Sequence, residues 1–81
     1  MFKRLSLVIE KIILPQFPQI KDFEIKVSTS KDFSMYKVIY FIGKIENLQA
    51  YKIMEETESL FKMTSPESKY DSITISFERA K

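Results

Sequence analysis

The chain has 81 residues, 44% of them hydrophobic, and its 13 basic and 11 acidic side chains leave a net charge of +2. This length predicts a single domain over residues 1–81, because domains usually have about 100 to 200 residues. The charge is too small to predict binding to nucleic acid or to an anionic membrane. The chain has no cysteine and no histidine, which excludes disulfides, a thiol nucleophile, an imidazole base and the commonest zinc ligands. We therefore expect no cofactor, no metal site, no catalytic residue and no enzymatic activity.

An apolar stretch follows the N-terminal methionine and ends near residue 14. Glu10 and Lys11 interrupt it, and no small-residue cleavage site follows, so it does not fit a signal peptide. It is also shorter than the roughly 18 apolar residues of a membrane span. We expect a cytoplasmic protein without a membrane partner.

The first predicted element is a helix over residues 2–14. Its apolar residues recur at the spacing of one helical face. They are Phe2, Leu5, Val8, Ile9, Ile12 and Ile13. Pro15 cannot continue a helix and disfavours the helical conformation at Leu14. We therefore expect the helix to end at Leu14 and residues 15–19 to form an extended connector.

Two strands follow, joined by a short polar segment. After the connector the period changes to two, with Phe23, Ile25 and Val27 alternating with polar residues. This pattern predicts a strand with one buried face. Residues 29–32 are turn-prone, and a second strand is predicted over Ser34–Ile42. The short connection favours a hairpin.

A second helix and a third strand complete the predicted fold. A mostly apolar stripe predicts the helix after residue 47, and residues 65–68 end it. The stripe consists of Ala50, Ile53, Met54, Thr57, Leu60 and Phe61. The last strand is predicted over residues 70–78. We therefore predict a two-layer α+β fold of order α-β-β-α-β, in which two helices pack on one face of a three-stranded sheet.

The second strand differs from the other two because it is apolar on both faces. Its even-numbered side chains over residues 36–42 are expected to face the helices. Ile39 and Phe41 are then left exposed on the opposite face, beside Lys37 and Thr74. Two helices cannot cover both faces of the sheet, and a strand that is apolar on both sides is normally covered on both sides. Either another chain covers this face, or the two apolar side chains are ordinary exposed residues, since more than half of a protein surface is apolar.

The size of the chain favours a second copy as the covering partner. A domain this small buries only about 60 to 65% of its unfolded surface, and such domains often gain stability by oligomerising. We therefore predict a small non-catalytic interaction or structural protein that forms a homodimer through its open sheet face or through a sheet edge. The residues predicted to mediate self-association are Ile39, Phe41, Lys37 and Thr74.

No group of residues indicates a catalytic or ligand site. Glu55, Glu56 and Glu58 form the densest carboxylate group, which we interpret as a solvated helix face because a cation site needs further oxygen ligands. Ser34 and Lys37 have the spacing of a Ser-x-x-Lys pair, but on a predicted strand they point to opposite faces. The single glycine of the chain excludes the glycine-rich loops that bind phosphate.

The order of elements resembles that of a type II K-homology domain, which has an additional short helix before its last strand. The resemblance implies an alternative function as a single-stranded nucleic-acid-binding module. Tyr36, Tyr40 and Phe41 are the candidate residues for stacking on bases, and Lys26 and Lys37 are the candidates for contacting the backbone. The chain lacks the G-x-x-G turn with which K-homology domains hold the nucleic-acid backbone. The part of a K-homology domain that would bind nucleic acid is therefore missing from this chain.

Overall fold

The computed structural model describes residues 2–44, 46–64 and 71–80, and for Phe2 it describes the backbone alone. The first helix, α1, joins an α-helical stretch Phe2–Val8, a π-helical stretch Ile9–Ile13 and an α-helical turn Leu14–Gln16. The other elements are β1 (Ile20–Thr29), β2 (Ser34–Ile42), α2 (Asn47–Thr64) and β3 (Ser72–Arg79). The order α-β-β-α-β confirms the predicted α+β fold. The predicted helix end at 65–68 and the predicted strand start at Tyr70 lie outside the described residues.

β2 is the central strand of a three-stranded sheet with the order β1-β2-β3. β1 runs antiparallel to β2, and the Ser30 N–H donates a hydrogen bond of 2.8 Å to the Phe33 carbonyl where the hairpin closes. β3 returns parallel to β2 after α2. A bulge between Ile20 and Asp22 lets both Ile20 and Phe23 face the helices. Among the described strands, β2 is therefore paired on both edges, and β1 and β3 each keep one free edge.

Both helices and one face of the sheet form a single apolar core. Its buried side chains are Leu5, Ile9 and Ile13 from α1, Ile53 and Phe61 from α2, and Ile20, Ile25, Tyr36, Val38, Tyr40 and Ile42 from the sheet. Partly buried side chains of β1 and β3, among them Phe23 and Phe77, pack against this cluster. The prediction that the even-numbered side chains of β2 face the helices is therefore confirmed.

The prediction that the first helix ends at Leu14 is wrong. Leu14 has helical backbone angles, with φ −60° and ψ −41°, and the helix continues to Gln16. The reason is the π-helical stretch, in which the Leu14 N–H donates to the Ile9 carbonyl five residues earlier. Pro15 then falls in the first turn of a new α-helical segment, where its missing N–H is not needed.

The same π-helical stretch changes which residues of α1 are buried. Ile12 was predicted to face the core, but 40% of its surface is exposed, whereas Leu5, Ile9 and Ile13 are fully buried. A π-helical turn contains more residues than an α-helical turn. A spacing of four residues therefore stays over the sheet through this part of the helix, and Ile12 turns toward solvent.

A hydrogen-bonded hydroxyl pair lies inside the core. The Thr57 hydroxyl donates to the Ile53 carbonyl at 2.7 Å, so the Tyr40 hydroxyl donates to Thr57 Oγ1 across 2.6 Å. Burial raises the pKa of Tyr40 to about 12, even with the hydrogen bond between Tyr40 and Thr57 in place. The pair links the centre of β2 to α2, and it satisfies the polar atoms that both side chains bring into the core.

Two adjacent isoleucines allow a matched test of the α1 assignment. Ile13→Ala removes a fully buried side chain, and we expect it to lower the free energy of unfolding by about 2 to 5 kcal/mol. Ile12→Ala removes an exposed side chain of the same size, and we expect a change within about 1 kcal/mol. Urea unfolding followed by circular dichroism measures both. Equal effects, or a larger effect at residue 12, would contradict the π-helical geometry.

The buried hydroxyl of Tyr40 makes stability depend on alkaline pH. Its pKa is raised in the folded state from the ordinary tyrosine value of 10.0 to about 12. The stability tied to its protonated form is therefore complete below pH 10 and is lost as the pH rises toward 12. Between pH 9 and pH 12 we expect the free energy of unfolding to fall by about 2 kcal/mol more in the wild-type chain than in Tyr40→Phe. Urea unfolding at each pH measures this difference. If the free energy of unfolding had the same pH dependence in both proteins, the raised pKa of Tyr40 would be contradicted.

Candidate interaction surface

The sheet face opposite the helices is the candidate functional surface, and we call it the open face. The strand register places twelve side chains on it: Asp22, Glu24, Lys26 and Ser28 from β1, Met35, Lys37, Ile39 and Phe41 from β2, and Ser72, Thr74, Ser76 and Glu78 from β3. Both helices pack on the other face. Within the part of the chain that the structure describes, no helix or strand covers the open face.

The apolar part of the open face lies on β2. Ile39 was predicted to be exposed, but only 4% of its surface is accessible. The reason is its central position, because Glu24 and Ser76 stand directly opposite it on the neighbouring strands and Lys37 and Phe41 flank it along β2. Its neighbours shield this short branched side chain. Ile39 therefore forms the floor of the surface.

Phe41 and Met35 are the apolar side chains of the open face that a partner can reach. Phe41 is half-buried, and Met35 exposes 49% of its surface. Sequence reasoning named Phe41 and missed Met35. The alternation that led to residues 37, 39 and 41 would have found Met35 if it had been extended by one step toward the start of the strand.

The charges of the open face are separated between its two ends. Lys26 stands directly opposite Lys37, and like charges in this position destabilise a pair of strands. Among the described residues, no carboxylate forms an ion pair with either ammonium group. Asp22, Glu24 and Glu78 lie toward the end of the face where β2 finishes. The face therefore has a basic end and an acidic end.

A shallow cleft lies at each end of the open face. The cleft at the basic end has a volume of about 320 Å³ and is lined in part by Lys26, Met35, Lys37 and Thr74. The cleft at the acidic end has a volume of about 410 Å³ and is lined by Lys21, Asp22, Phe41, Arg79 and Ala80. Lys21 and Arg79 therefore moderate the negative charge at the rim of the acidic end.

The residues proposed for nucleic-acid binding lie on two different sides of the sheet. Lys26 and Lys37 are exposed on the open face. Tyr36 is 6% exposed and Tyr40 fully buried on the core face, with the Tyr36 ring 5.2 Å from that of Phe61. A base cannot stack on rings that the helices cover. Of the three aromatic candidates, Phe41 alone therefore lies on the same face as the two lysines.

The remaining candidates gain no ligand site from the structure. Glu55, Glu56 and Glu58 are exposed on α2. The described residues contain no group of three or more His, Cys, Asp or Glu side chains that could hold a metal ion. Over residues 2–44, 46–64 and 71–80, no helix has the length and apolar character needed to cross a bilayer.

The opposed lysines provide a direct test of the strand register. Lys37→Glu turns the Lys26–Lys37 repulsion into an attraction, and we expect it to raise the free energy of unfolding by about 1 kcal/mol at low salt. The gain should shrink in high salt, because ions screen exposed charges. Lys31→Glu, in the exposed hairpin turn, makes the same change in net charge and should give no comparable gain. Urea unfolding of dilute protein measures both variants, and equal effects would contradict the pairing.

Comparison with known proteins identifies the fold but no family. No protein-family model matches the chain, and no curated protein matches it. A solved structure described as the MamB CTD magnetosome protein of Desulfamplus magnetovallimortis BW-1 superposes with a TM-score of 0.72, covering 96% of this chain and 95% of that one. The two chains are 14% identical. The chain therefore shares its fold with this C-terminal domain, and the K-homology resemblance remains one of element order.

Proposed function

We propose that the chain is a non-catalytic interaction domain that self-associates through its open face. The observation that carries the proposal is the central strand, which is apolar on both sides. Its even-numbered side chains pack under the helices. On the other side Phe41 and Met35 remain accessible. A second copy presents the same surface, as a two-fold dimer requires.

The chemistry of the described residues favours binding over catalysis. The chain has no histidine or cysteine, and the buried hydroxyl pair Tyr40–Thr57 is enclosed in the core. A general base or nucleophile has to reach a substrate. The fold that this chain shares with the MamB C-terminal domain also occurs within a longer protein. The likeness indicates no ligand for this chain.

The open face is a better candidate for self-association than the edge of β1. That edge strand carries a bulge between Ile20 and Asp22, and Lys21 and Lys26 lie along it. Bulges and lysines are features by which edge strands discourage pairing with other chains. The accessible apolar side chains Phe41 and Met35 lie on the central strand, away from either edge.

The size of the open face predicts weak association. Strands about 4.8 Å apart with a rise of about 3.3 Å per residue give a three-stranded face of roughly 350 Å² in projection. Standard interfaces bury about 800 Å² of accessible surface on each partner. We therefore expect the dimer to form at high micromolar concentration and to dissociate on dilution.

Sedimentation equilibrium tests the proposal. We expect the wild-type chain to dimerise at high micromolar concentration and Phe41→Lys to remain monomeric there, because the new charge would be buried at the interface. Leu48→Lys is the matched control, since Leu48 is an exposed apolar residue of α2. It should dimerise like the wild type. A monomeric wild-type chain, or a Phe41→Lys variant that dimerises normally, would overturn the proposal.

A further inference from the structure

The open face is complementary to itself in charge when two copies meet with their strands antiparallel. Resting on the proposed function, we propose that the dimer has one defined register, in which the two-fold axis crosses β2 between Lys37 and Ile39. Lys26 then lies opposite the partner's Glu24, and Met35 lies opposite the partner's Phe41. Each pair occurs twice in the dimer.

The direction of the axis follows from the separation of charge. Two sheets packed face to face can be related by a two-fold axis that runs along the strands or across them. An axis along the strands puts the acidic end of one copy over the acidic end of the other. An axis across the strands puts the acidic end over the basic end. Juxtaposed like charges are strongly unfavourable at interfaces, so the structure favours the axis across the strands.

The position of the axis follows from the strand register. Glu24 is level with Ile39, and Lys26 is level with Lys37. An axis through Ile39 would place Glu24 over the partner's Glu24. An axis through Lys37 would place Lys26 over the partner's Lys26. Only the position between Lys37 and Ile39 places a carboxylate opposite Lys26 without placing two carboxylates opposite each other.

This register also relieves two unfavourable features of the single chain. The partner's Glu24 lies opposite Lys26 and diagonal to Lys37, so one carboxylate reduces the repulsion between the two lysines. The partner's Phe41 meets the cleft of about 320 Å³ around Met35, Lys26 and Lys37. Its ring would then contact apolar surface in place of water. Facing sheets pack about 10 Å apart. Side chains as long as lysine, glutamate, phenylalanine and methionine can meet across this distance.

Charge reversal on β1 tests the register. We expect Glu24→Lys and Lys26→Glu each to weaken dimerisation at least about tenfold, because each places like charges opposite one another. An equimolar mixture of the two variants should form heterodimers with an affinity within about threefold of the wild type, since every facing pair is then opposite in charge. The double variant Glu24→Lys/Lys26→Glu should recover as a homodimer. Sedimentation equilibrium measures all four samples.

The controls separate the register from general charge effects. Glu10→Lys and Lys11→Glu, both exposed on α1, make the same changes in net charge away from the open face. Alone or mixed, they should dimerise like the wild type. If they reproduce the loss and recovery seen on β1, the effect is one of net charge and the register is wrong.

The possible failures distinguish the register from the proposed function. A monomeric wild-type chain overturns both. If Phe41→Lys abolishes the dimer but the mixture of Glu24→Lys and Lys26→Glu does not recover, the register is wrong and the proposed function stands. Antiparallel pairing of two β1 edges around Ile25 would also bring Glu24 to Lys26. That edge dimer would survive Phe41→Lys, because β2 lies away from the contact, and its survival would overturn the register and the open face together.

Discussion

Two helices can cover one face of a three-stranded sheet, and the central strand β2 is apolar on both of its faces. The helices cover the side chains on one of these faces. There Tyr40 lies buried in the core and donates a hydrogen bond to Thr57. On the other side Ile39 is shielded by its neighbours, and Phe41 and Met35 remain accessible. This imbalance determines where the core lies and where a partner can bind.

The electrostatics of the open face lead to the same surface as its apolar side chains. Lys26 and Lys37 oppose each other, and no carboxylate of residues 2–44, 46–64 and 71–80 pairs with either. Solvent and salt screen their repulsion. A fold selected only for a stable monomer gains nothing from this pair. A carboxylate such as Glu24, supplied by a second copy, would reduce the repulsion at the place where Phe41 can bury its ring. The two features therefore support one explanation.

Periodicity along the sequence predicted most of the buried faces, but it missed a change of helix type and the contacts between strands. Alternation correctly placed Phe23, Ile25 and the even-numbered residues of β2 on the core side. The local effect of Pro15 was overridden, because a π-helical turn supplied a geometry that accepts it. The burial of Ile39 depends on neighbours from β1 and β3, and the Lys26–Lys37 pair depends on the register of the hairpin. A pattern along one strand contains neither kind of information.

The central claim is that a second copy covers the open face, and isotope-filtered NMR of a mixed sample tests it most directly. Labelled and unlabelled chains are combined at high concentration, and contacts between the two kinds of chain are recorded. The account predicts contacts from the Phe41 ring to the Met35 methyl group and none from Leu48 or Met63 on α2, both of which are exposed. Intermolecular contacts confined to α2 or to a strand edge, or no such contacts at all, would contradict it.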